Sequence, residues 1–126
     1  MAIIKSYSDL QQSKKLAEIL PLESADMEYL TIKDNNALIG VVPFVKDDSE
    51  VEDSAYNHTY DRIPCWSLAA LLSVLTENKI CHYDDRYYCQ YISEGGEFPI
   101  YSTAEYDNPV DACYEMILKL HELKML

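Results

Sequence analysis

Basic residues are scarce: Lys and Arg total 10 against 22 Asp and Glu, giving a formal net charge of -12 over 126 residues. Nucleic-acid binding draws most of its affinity from neutralising phosphates with Lys and Arg. A chain this acidic, with no basic run, is repelled by such a polymer at long range and by anionic membrane surfaces for the same reason. Glycine is equally scarce, with three in the chain, and neither a P-loop nor a dinucleotide-binding loop is present. Long apolar runs are missing too. The longest is Leu68 to Leu72, far short of the roughly 20 residues of a membrane span. The first residues, Met1-Ala2-Ile3-Ile4-Lys5-Ser6, lack the basic stretch and apolar core of a secretory signal, so a cytoplasmic location in a bacterial host is expected. The four cysteines, at 65, 81, 89 and 113, form no C-x-x-C pair and are expected to be free thiols. Phe and Trp are rare, at two and one, whereas tyrosine is abundant, at 11.

Hydrophobic residues make up 48% and charged residues 25%, in line with a folded globular chain of one domain's length. A first helix is expected from about Asp9 to Leu20. Ser8 serves as N-cap and Gln11 completes a capping box. Leu10, Leu16, Ala17, Ile19 and Leu20 form its apolar stripe, and Pro21 ends it. A hairpin follows, Met27 to Ile32 and Ala37 to Val42, turning at Asp34-Asn35-Asn36, with Gly40 as the mark of a bulge or of a close backbone approach and Pro43 limiting the second strand. Residues 46–62 break the pattern. Asp47-Asp48-Ser49-Glu50-Val51-Glu52-Asp53 is nearly all acidic, and a long acidic loop is expected there. Pro64 suits the first turn of a second helix. Trp66 to Leu75 is apolar on nearly every face and is expected to be covered on several sides, with Asn78 as its stop.

A meander comes next. Ile80 to Tyr83, Tyr87 to Ile92 and Phe98 to Ser102 are separated by Asp84-Asp85-Arg86 and by a turn containing Gly95-Gly96. The last helix starts at Asn108 as N-cap, with Pro109 first and Asp111 in the first turn. Val110, Cys113, Met116, Ile117, Leu120 and Leu123 recur at helical spacing. The fold class is therefore α+β in the order α-β-β-α-β-β-β-α, with mainly antiparallel sheet packed by three helices. Residues 1–126 are read as a single domain whose three helices close over a common sheet.

Three stretches carry a resemblance: Ser13-Lys14-Lys15-Leu16-Ala17-Glu18-Ile19-Leu20-Pro21, Ile63-Pro64-Cys65-Trp66-Ser67-Leu68-Ala69-Ala70-Leu71-Leu72, and Asp107-Asn108-Pro109-Val110-Asp111-Ala112. Together they resemble a family of small uncharacterised proteins of gut Bacteroidetes and their phages and mobile elements. The layout is similar to the phage domain named for its α-β-α sandwich. The resemblance implies an origin in a phage or mobile element and helices packed around a sheet. It brings no activity and no site residue.

Signals for chemistry are sparse. Cys81-His82 with Cys89 is the best metal cluster, but neighbours on a strand point to opposite faces, and zinc normally takes four ligands. Asp48, Glu50 and Glu52 alternate like a calcium loop, yet Asp53 stands where Gly is needed and Thr59 where the closing Glu belongs. No cofactor or metal is expected. Ser67 is not in G-x-S-x-G. The carboxylates Asp107 and Asp111 suit a helix start, and Glu94 and Glu97 flank a turn. A cysteine–histidine pair is left open, since its partners would meet only in the fold.

The tyrosines carry the strongest surface signal. Tyr83, Tyr87, Tyr88, Tyr91 and Tyr101 all fall on the meander. Tyr87 and Tyr91 share a face with Cys89, while Tyr88 and Ile92 take the other. One set should lie under a helix and the other on an open sheet, although tyrosine also fits strands without any partner. Candidate interface residues are Tyr83, Tyr88 and Tyr101, together with Asp47, Asp48, Glu50 and Glu52 of the acidic loop. Three readings follow. The first is a non-enzymatic interaction or accessory protein of a phage or mobile element with a protein partner. The second is an acidic inhibitor that mimics nucleic acid against a basic site. The third is a small enzyme with a Cys/His pair. Neither direct nucleic-acid binding nor membrane association is expected, and homo-oligomerisation stays open.

Overall fold

Three α-helices and two antiparallel three-stranded sheets make up the α+β structure, a computed structural model that describes residues 5–34, 37–45, 59–92 and 99–126. The chain divides into two compact units, one of residues 9–66 and one of residues 67–126 with the segment up to Ser8.

In the 9–66 unit, α1 (Leu10–Ile19) is capped by Asp9, whose carboxylate accepts from the Gln12 N–H at 2.8 Å while Gln12 Oε1 accepts from the Asp9 N–H at 3.0 Å. The capping box thus lies one residue later than Ser8 and Gln11. Asp caps as well as Ser, and two overlapping boxes with the same spacing compete in the sequence. Ser8 itself is fully buried. Leu16 and Leu20 turn into the core. After Pro21 a single 3-10 turn, Leu22–Ser24, leads into the sheet.

That sheet has the order β2-β1-β3, formed by β1 (Met27–Asp34), β2 (Ala37–Val45) and β3 (Thr59–Cys65). β1 is central and both its pairings are antiparallel. Ile32 faces Gly40 and Lys33 faces Leu38, so Ile39 is the extra residue of a bulge beside the glycine. Tyr29, Thr31 and Cys65 are buried, following the period of two. α1 packs against β3.

β3 corrects two sequence expectations. Residues 59–62 are strand, not loop, and Pro64 lies in that strand, opposite Glu28, and does not open a helix. β3 is an edge strand, where a proline costs no central ladder bond. The polar residues Tyr60, Asp61 and Arg62 hide its alternation. Residues 46–58 lie outside the described residues, and with them Asp47, Asp48, Glu50 and Glu52.

In the other unit, α2 (Leu68–Val74) is capped by Ser67, whose hydroxyl accepts from the Ala70 N–H at 3.2 Å. The N-terminal segment joins here: Tyr7 bridges Ser67, and the Leu68 N–H donates to the Ser6 carbonyl at 3.0 Å. α2 is shorter than its apolar run and is covered less widely than expected. Ala70 and Leu71 are buried, but Leu72 is 39% exposed. Trp66 precedes the helix. Asn78 does not stop α2; it opens β4 (Asn78–Tyr83), after Glu77 turns the chain at φ 62°.

β4 pairs with β5 (Arg86–Ile92), and β5 with β6 (Pro99–Ser102). Asp84 and Asp85 both have positive φ, 50° and 60°, the requirement of a tight two-residue hairpin turn. α3 (Pro109–Glu122) starts as the sequence predicts. Asn108 accepts from the Asp111 N–H at 2.8 Å, and Pro109 follows the cap. Val110, Cys113, Met116, Ile117 and Leu120 are buried, and α3 packs on β5, β4 and α2. The stripe stops short of Leu123, the C-cap, which is 49% exposed.

The expectation of one common sheet is therefore corrected. Because β3 pairs with β1, the first hairpin completes a sheet of its own, and β4, β5 and β6 form a second. No helix among the described residues is long and apolar enough to cross a membrane.

Candidate functional site

The register of the second sheet sorts its tyrosines into two sets. Cys89 is fully buried and α3 packs on β5, so Tyr87, Cys89 and Tyr91 form the helix-covered face of β5. Tyr88, Gln90 and Ile92 take the opposite face. On β4, Asn78, Ile80 and His82 pair with Tyr91, Cys89 and Tyr87 and lie on the helix side. Cys81 and Tyr83 lie with Tyr88 on the other. Tyr83 is 73% exposed, and Tyr88 is half-buried among its strand neighbours.

Tyr101 does not join this open set. It pairs with Tyr91, and Lys119 of α3 stands over its ring, Nζ 5.4 Å from the centroid. Of the three tyrosines named from the sequence, the structure brings Tyr83 and Tyr88 together and places Tyr101 on the helix side. The face a β6 residue takes depends on its register with β5, which alternation within β6 cannot fix.

Beyond β6 the chain keeps pairing with β5. The Thr103 N–H donates to the Cys89 carbonyl at 2.9 Å, and Tyr106 and Tyr87 exchange two backbone bonds of 2.7 Å. Between these pairs a single residue of β5, Tyr88, faces two residues, Ala104 and Glu105. This is a bulge, a feature that re-aims side chains at the rim of a sheet. It brings Glu105 beside Tyr88. The Thr103 hydroxyl supports the bend, accepting from the Cys89 N–H at 2.9 Å and donating to the Ala104 carbonyl at 2.9 Å.

The result is an open depression of about 440 Å³ lined by His82, Tyr83, Tyr88, Ser102, Thr103 and Glu105. The His82 ring stacks on Tyr87 at 4.3 Å with an interplanar angle of 3°. A hydrogen bond with Cys81 holds the Tyr88 phenol above its ordinary range, with burial and the charge of Glu105 adding to the effect. Tyr88 thus stays a neutral hydroxyl at neutral pH, able to donate and accept. Arg86 reaches the rim and donates to the Glu105 carbonyl at 3.3 Å, leaving the Glu105 carboxylate without an ion pair among the described residues. Ser102, Thr103 and Glu105 carry no sequence signal as site residues, because the bulge that gathers them is a tertiary feature.

Other chemistry is not assembled among the described residues. Cys81 and Cys89 lie on opposite faces of the sheet, His82 points away from Cys81, and no group of three or more His, Cys, Asp or Glu side chains could hold a metal ion. Cys65, Cys89 and Cys113 are fully buried free thiols, while His82 and His121 are exposed. Ser67 is occupied as a helix cap. Asp107 and Asp111 both accept from the Asn108 amide, at 2.9 and 2.8 Å, and Asp111 also pairs with Lys5 at 2.8 Å. These two carboxylates therefore serve the start of α3. Comparison of the chain with protein families, curated proteins and solved structures finds no match.

Proposed function

We propose that this protein is a non-enzymatic interaction component of a phage or mobile element, and that it binds a protein through the open face of its second sheet. The observation that carries the reading is the presence of Tyr83 and Tyr88 on one face of the sheet, opposite α3, next to a depression with polar groups. Tyrosine supplies apolar contact area at low entropic cost and a hydroxyl handle, which is why it is enriched at interfaces. The mobile-element setting rests on the sequence resemblance alone. The test is a photo-crosslinking amino acid at position 83 in the expressing bacterium, with the buried position 29 as control. One protein captured reproducibly at 83, and lost when Tyr88→Ala is added to a natively folded chain, supports the reading. Capture at 29 and 83 alike, or capture indifferent to Tyr88→Ala, overturns it.

The net charge of -12 favours a second reading, an acidic inhibitor occupying a basic nucleic-acid site. Its affinity for the captured partner would fall steeply between low and high salt. Binding that is flat across that range rules it out.

A further inference from the structure

We infer that the depression beside Tyr88 is a receptor for a single arginine side chain presented by a basic protein partner, its guanidinium lying on the tyrosine rings and its N–H groups meeting the Glu105 carboxylate. The inference rests on the interaction reading above and specifies what the partner brings.

Four observations converge on a planar cation. Two phenol rings, Tyr83 and Tyr88, border the depression, and a guanidinium is drawn to the face of such rings. Glu105 supplies a carboxylate that has no ion pair among the described residues, and arginine matches a carboxylate with a two-pronged fork. Ser102 and Thr103 add oxygens along the same wall. The surrounding charge also favours a cation. Asp84, Asp85 and Glu105 outnumber Arg86 at this end of the sheet, within a chain of net charge -12. Arg86 does not fill the role itself, because its guanidinium is engaged with the backbone carbonyl of Glu105. On the opposite face, Lys119 over Tyr101 is an example of a cation held on a ring in this same sheet. Lysine fits the depression less well, since a compact ammonium cannot stack and fork at once.

The experiment is an amide-resolved NMR titration of the full chain with the peptide acetyl-Gly-Arg-Gly-amide, and with the same peptide carrying citrulline, which keeps the shape and lacks the charge. The arginine peptide is expected to shift the amides of Tyr88, Ser102, Thr103 and Glu105, and the citrulline peptide to leave them in place. Glu105→Gln should weaken binding by roughly tenfold, the scale of a lost charge-assisted hydrogen bond. Tyr88→Phe should keep most of the affinity and Tyr88→Leu should lose it, each in a chain whose remaining spectrum is unchanged. Equal shifts from the two peptides, shifts elsewhere on the surface, or a Glu105→Gln variant that binds as well as the parent would overturn the inference. If the crosslinker at position 83 still captures its partner while the arginine peptide moves none of these amides, the arginine receptor is refuted and the interaction reading survives. If neither occurs, both are refuted.

Discussion

The indole Nε1 of Trp66 donates a 2.9 Å hydrogen bond to Ser24 Oγ, and that hydroxyl in turn donates to the Pro21 carbonyl at 2.5 Å. Trp66 is fully buried, and a buried indole N–H needs a partner. The hydroxyl acts as a relay that ties the 3-10 turn after α1 to the end of β3. Removing it takes this acceptor from the indole and cuts the link to the Pro21 carbonyl. Ser24→Ala should therefore cost about 1–3 kcal/mol, read as a lower urea midpoint with an unchanged slope. Ser24→Thr, which keeps the oxygen, should cost less.

The start of α3 depends on Asn108. Its carbonyl oxygen caps the Asp111 N–H, and its amide bonds the carboxylates of Asp107 and Asp111. Asn108→Ala should destabilise by about 0.5–2 kcal/mol. Lys5→Ala, which removes only the partly exposed partner of Asp111, should cost no more than about 1 kcal/mol. A thermal or urea series on the two variants tests that order.

Core packing under α3 gives the largest expected effect. Met116 and Ile117 are fully buried. Truncating either to alanine should cost about 2–5 kcal/mol. Leu123→Ala, on the exposed C-cap, should fall within about 1 kcal/mol of the parent. Equal losses at 117 and 123 would contradict the placement of the stripe's end.

Cys113 makes stability depend on pH in the alkaline range. Its hydrogen bond to Cys89 and its burial raise the thiol above the ordinary 9.0. Below pH 9 the thiol is protonated in both the folded and the unfolded chain and contributes no pH dependence. Above pH 9 the unfolded chain loses this proton first, so stability falls as pH rises. The urea midpoint should fall as pH rises from about 9 to about 11, above the range in which the lowered Cys89 thiol acts in the opposite direction, and Cys113→Ala should flatten that fall even if it lowers the midpoint at both ends. Alkylation of the native protein should reach the half-buried Cys81 before the three buried thiols.

Much of this architecture was legible in the residues. α3 followed from Asn108-Pro109 and a clean apolar stripe, and the hairpin bulge from Gly40, because caps, prolines and glycines act locally. The division of β5 into a Cys89 face and a Tyr88 face came from alternation alone. β3 was hidden because an edge strand tolerates a proline and polar residues that would exclude a central one. The face of Tyr101, shared with Tyr91 and not with Tyr88, is not legible in β6 alone because a shift of one residue in strand pairing reverses it. Glu105 was invisible for a related reason: it reaches Tyr88 only through an extra residue whose effect depends on what lies opposite.

The positions of the strand prolines have a consequence for self-association. In the first sheet both outer strands carry one, Pro43 in β2 and Pro64 in β3, and in the second sheet β6 begins at Pro99. A proline has no N–H to offer an incoming chain. Of the four outer strands described, β4 alone keeps an unbroken row of donors. Lengthening of either ladder by a second molecule during misfolding or at high concentration would begin there, at the N–H groups of Asn78, Ile80 and His82, which alternate along β4 with those bonded to β5.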